Sequence, residues 1–115
     1  MLQENKSLEL LQKVTVENLF GKLIEQLNKD FQLSNLDEEI DILETPNQLK
    51  EHLAKILVKL LTYQYDDYLN LLYRVDVPEK ELLTVKGNVL EESAHQIAYL
   101  ILKREYQKVW FKNKL

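Results

Sequence analysis

The chain contains no cysteine. Disulfides, thiolate zinc sites and a cysteine nucleophile are therefore excluded, and a reducing compartment suits the composition. Histidine occurs only at His52 and His95, so a His-rich metal centre is excluded too. Glycine is confined to Gly21 and Gly87, proline to Pro46 and Pro78. Two isolated glycines cannot build a G-x-x-x-x-G-K or G-x-G-x-x-G loop. So few turn formers also argue against an all-β fold. No apolar run approaches the ~18–20 residues of a membrane span. The opening MLQENKSLELLQ lacks the basic-then-apolar order of a secretory signal. These absences together lead to the expectation of a cytoplasmic protein with no membrane span.

What is present points to helices. The 115 residues are 45% hydrophobic, enough for one domain over 1–115 with its own core. Net charge is −4, unevenly spread. Residues 100–115 carry Lys103, Arg104, Lys108, Lys112 and Lys114 against Glu105 alone. An acidic body disfavours nucleic acid as partner, while the basic end leaves a weak nucleic-acid reading open.

Periodicity marks the elements. The stretch 47–75 has neither Gly nor Pro and reads as the spine of the fold. Thr45, Pro46 and Gln48 predict a capping box at its start. Leu49, Leu53, Ile56, Leu57, Leu60 and Leu61 form its apolar stripe. Continued past Tyr63, that stripe meets Asp67, and Tyr65, Tyr68, Leu69 and Leu72 take over the apolar face. A kink or a change of face near 63–67 is therefore expected.

Before the spine, Leu19, Phe20, Leu23, Ile24, Leu27 and Phe31 form a second stripe, with Lys22, Glu25, Gln26 and Lys29 outside it. Ser7 reads as the N-cap of a helix from Leu8. The β-branched run Val14-Thr15-Val16 either weakens one helix or separates two. Gly21 is expected at a close helix crossing, and the acidic connector predicts a helical turn near Asp37. After the spine, Asp76 with Glu79, and Asn88 with Glu91, read as two further capping boxes. Gly87 closes the short helix that starts at Val77. The last helix, Val89 to about Lys112, is apolar over so wide an arc that burial on two sides follows. The resulting architecture is an all-α, single-domain bundle of three long helices and one or two short ones.

Chemistry-bearing groups are sparse, and no spacing supports a catalytic constellation. Glu92 and His95 form one E-x-x-H, half of a di-metal carboxylate site at most. Tyr63, Asp67 and Arg74 cluster in the spine, and Glu105 falls inside the apolar arc of the last helix. Together these four could line a polar ligand pocket or close a buried network. Burial of Glu105 would demand a partner or a raised pKa. The segment Leu71-Leu72-Tyr73-Arg74-Val75-Asp76-Val77 resembles a run found in small uncharacterised all-helical bacterial proteins, as does AYLILKREYQK at 98–108. That resemblance implies the fold alone, with no activity, cofactor or site residue.

The functional expectation is a non-enzymatic helical protein without cofactor. It would act through protein–protein interaction, as a homodimer or with another protein. The alternatives are a small-ligand or metal-binding bundle and a weak nucleic-acid binder using the basic C-terminal helix.

Overall fold

A computed structural model describes residues 2–115, with side chains from Lys6 onward. Six helices follow in order: α1 (Leu2–Val16), α2 (Phe20–Leu33), α3 (Pro46–Tyr63), α4 (Tyr65–Val75), α5 (Glu79–Leu82) and α6 (Leu90–Lys114). The described residues contain no strand. Every other helix touches α6. The organising element is thus the last helix rather than the spine at 47–75. Its wide apolar arc explains this, because Ala94, Ile97, Ala98, Leu100, Ile101 and Leu102 are all buried. They join Leu23, Leu27, Phe31, Leu53, Leu57 and Leu60 in one continuous core.

The spine is two helices. Thr45 and Gln48 form the expected capping box, each side chain bonded to the other's backbone N–H. α3 ends at Gln64, whose φ of −140° and ψ of 55° leave the helical region. α4 then buries Tyr68, Leu71, Leu72 and Val75, at i, i+3, i+4 and i+7. Tyr65 and Leu69, expected on this inner face, instead point outward.

With glycine scarce, asparagine and aspartate stop the helices. Asn18, Asn35 and Asp76 have φ of 61°, 60° and 70°, the left-handed conformation that short polar side chains tolerate best after glycine. After α1, Leu19 N–H donates to the Val14 carbonyl and Asn18 N–H to that of Thr15, both at 3.0 Å. After α2, Leu36 and Asn35 repeat the pattern on Phe31 and Gln32. These are Schellman closures, and the apolar pair each requires, Val14 with Leu19 and Phe31 with Leu36, is buried. The run 14–16 therefore ends one helix, and α1 and α2 are separate.

Several expected boundaries move. α1 begins at Leu2, so Ser7 lies inside it and is buried rather than capping. Asp76 closes α4 instead of opening the next helix, and α5 starts at Glu79 without a side-chain cap. Val89, not Asn88, precedes α6, again without a side-chain cap. Gly21 is exposed and meets only the Ile42 side chain, 3.9 Å from where a Cβ would stand, so no helix crosses there.

No helix forms near Asp37. The connector is instead clasped by Asn28, whose side chain donates to the Ile40 carbonyl and accepts from the Ile40 N–H, both at 2.8 Å. Gln96 holds Lys86 in the same two-sided way. Each carboxamide imitates the pairing a neighbouring strand would offer.

Candidate functional site

α2 and α6 run antiparallel, and their contact carries a ladder of polar side chains at every fourth residue of α2. Lys22 Nζ donates to Asn113 Oδ1 at 3.0 Å. Lys112 Nζ donates to Gln26 Oε1 at 2.6 Å. Lys108 Nζ lies 2.6 Å from Asp30 Oδ2. Gln26 Nε2 reaches Asp30 Oδ1 at 3.4 Å and links the last two rungs. The spacing 22, 26, 30 keeps all three on one helical face. Gln26 and Asp30 are buried, although the apolar stripe of α2 alone would leave Gln26 in solvent.

Glu105 lies at the inner end, fully buried. Its Oε1 is 2.8 Å from Lys108 Nζ, although the approach is not directed along a hydrogen bond. Burial in an apolar core pushes its pKa up to about 9, and the adjacent Asp30 adds to the rise. Lys108 opposes the shift without cancelling it. Glu105 thus keeps its proton at neutral pH, and Lys108 with Asp30 forms the buried ion pair. For Lys108, burial is outweighed by Asp30 and Glu105, which hold its pKa above the ordinary lysine value.

Lys108 also closes α4, donating to the Val75 carbonyl at 3.3 Å. Arg104 completes that end through Asp76, with Nε on the carbonyl at 3.0 Å and a terminal nitrogen on the carboxylate at 3.1 Å. Both cations therefore serve the open carbonyl end of α4. Lys103 pairs with Glu81 at 3.3 Å. Lys103, Arg104 and Lys108 of the basic segment 100–115 are thus paired with carboxylates of the same chain.

The four residues expected to share a pocket are dispersed. Tyr63 is 82% exposed at the end of α3. Asp67 accepts from Gln64 Nε2 at 2.9 Å, bracing the junction of α3 and α4. Arg74 is exposed and lines a shallow cleft with Tyr73, Asn70 and Leu33. Glu105 alone is in the core, with Lys108 rather than Arg74 or a tyrosine as its partner. Glu92 is exposed and His95 half-buried in the first turns of α6. Among the described residues no group of three or more His, Asp or Glu side chains is placed to hold a metal ion.

Sequence reasoning missed Asp30 and Lys108. Asp30 follows Leu27 by three and Leu23 by seven, so a carboxylate in register with an apolar stripe was the available signal. Lys108 follows Glu105 by three on α6, also on the inner face.

Away from the seam, α4 has an outer stripe of unusual composition. Tyr65, Leu69 and Tyr73 are 55%, 46% and 80% exposed. Their spacing of four places them along one side of the helix. Asp66 and Arg74, both exposed, lie near its two ends.

No protein-family model, curated protein or solved structure matches the chain. Among the described residues no helix is long and apolar enough to cross a membrane.

Proposed function

We propose that the protein is a non-catalytic interaction module that self-associates through the outer face of α4. The observation carrying this reading is the stripe of Tyr65, Leu69 and Tyr73 left in solvent on a helix whose other face is buried. Tyrosine and leucine at i, i+4, i+8 form a helix-docking face, and tyrosine is enriched where interfaces bury.

A second copy is the occupant that the symmetry of the stripe about Leu69 favours. Antiparallel pairing about Leu69 sets Tyr65 of one copy against Tyr73 of the other. Such a patch is complementary to itself, as an isologous dimer requires.

Light scattering during size-exclusion chromatography tests this. At concentrations from micromolar to millimolar, a species of twice the 13.7 kDa chain mass should grow in. Leu69→Asp should abolish it. Tyr65→Ala and Tyr73→Ala should each weaken it. A monomer throughout the range, or a dimer indifferent to Leu69→Asp, would overturn the proposal.

A further inference from the structure

The outer end of the polar ladder opens into a cleft of about 310 Å³ between α2 and the last turns of α6. Lys22, Lys29 and Lys112 line it. Several cations outside the cleft are answered by carboxylates, Lys59 by Glu38, Lys103 by Glu81 and Arg104 by Asp76. Here the two ammonium groups that are held are held by neutral amides, Lys22 by Asn113 and Lys112 by Gln26. Among the described residues no carboxylate stands within ion-pair distance of the three lysines. Glu25 is the only acid on the lining.

Helix electrostatics accounts for part of this charge. A cation in the last turn of α6 faces the negative end of the helix dipole, which suits Lys112. Lys22 lies near the start of α2, where the dipole disfavours a cation. The dipole therefore does not account for Lys22.

The site is also braced. Gln26 is 8% exposed, and its amide is tied to Asp30 behind it. Lys112 is thereby held against the wall of the cleft by a side chain that cannot swing into solvent. Unneutralised cations in a concave site concentrate anions there.

We propose that this cleft binds a small phosphorylated molecule, its phosphate oxygens held by Lys22, Lys29 and Lys112. Ammonium groups carried by two helices, α2 and α6, onto one cleft suit a tetrahedral, doubly charged anion. A planar carboxylate would favour the forked donors of arginine, and neither arginine of this chain lines the cleft. The volume lies at the small end of ligand sites. Val109 on the lining offers apolar contact to the organic part of an ester.

The test is a titration of the full chain with pyrophosphate at constant ionic strength, followed by backbone amide NMR. Saturable shifts confined to residues 22–29 and 109–113 are expected. Lys22→Gln and Lys29→Gln should each weaken binding by about tenfold, as loss of a charge-assisted hydrogen bond does. Both side chains are at the surface, so neither change should disturb folding. Three results would overturn the inference: no saturable shift at millimolar pyrophosphate, an affinity unchanged in both variants, or binding of single-stranded RNA or anionic vesicles without binding of pyrophosphate.

Discussion

From Ala94 to Leu102, α6 meets its neighbours with Ala94, Ile97, Ala98, Leu100, Ile101 and Leu102. From Glu105 to Asn113 the same helix meets α2 through Glu105, Lys108, Lys112 and Asn113, with Val109 as the buried apolar residue. Both halves are contact surfaces of one helix, yet they hold by different physics. Apolar burial is non-directional and scales with area. The polar half depends on atoms meeting within hydrogen-bonding distance, so it fixes the register of α6 against α2. Its removal one partner at a time is correspondingly expensive.

The largest difference should appear on substituting Lys108 by Met. Asp30 would keep a buried negative charge without its cation, a loss of about 3–5 kcal/mol. Ile101→Ala in the apolar half should cost about 2–5 kcal/mol, so magnitude alone will not separate the halves. Asp30→Asn will. In urea unfolding it should recover part of the Lys108→Met loss, and it should simply add to Ile101→Ala. Additivity on both backgrounds would erase the distinction.

Change of pH separates the halves as well. Glu105 has a folded pKa of about 9 against an ordinary 4.5. Its proton is bound more tightly in the folded state. The stability it contributes is therefore complete below about pH 4.5 and declines as pH rises through about 9. Each tenfold difference in proton affinity corresponds to ~1.4 kcal/mol. Wild-type protein should lose stability from about pH 5 to about pH 9. Glu105→Gln, which keeps a neutral group of the same shape, should flatten that slope and be the more stable form at the alkaline end. Parallel pH profiles would mean that Glu105 is ionised in the fold.

The smallest effect lies outside α6. Asn35→Val places a β-branched residue at a φ of 60° and should cost about 1–2 kcal/mol, independent of pH. Asn35→Gly should cost nothing or stabilise. A valine variant as stable as wild type would show that the loop readjusts.

The amphipathic stripes, the Thr45 box, the interruption after Tyr63 and the anomaly of Glu105 are all visible in the sequence because each is a local pattern. Asp76 misleads for the same reason: Asp-Val-Pro-Glu is a good local helix start, yet Arg104, 28 residues away, holds Asp76 at a helix end. The partner of Glu105 was harder to identify. Arg74 looks suitable by type, but its side chain is exposed whereas Glu105 is fully buried. Asp30 and Lys108 are 78 residues apart, and only the antiparallel docking of α2 on α6 unites them. The closing roles of Asn18 and Asn35 depend on backbone conformation, which side-chain pattern does not encode.

The position of α6 also bears on how the chain is made. Residues 90–114 are synthesised after the five helices they join, and each of those five touches α6. While the ribosome is still adding residues before Leu90, the faces of α1, α2, α3, α4 and α5 that meet α6 have nothing to cover them. Until α6 emerges, the earlier helices have apolar faces left in water. Its core closes only after translation has passed the last buried residue, Val109.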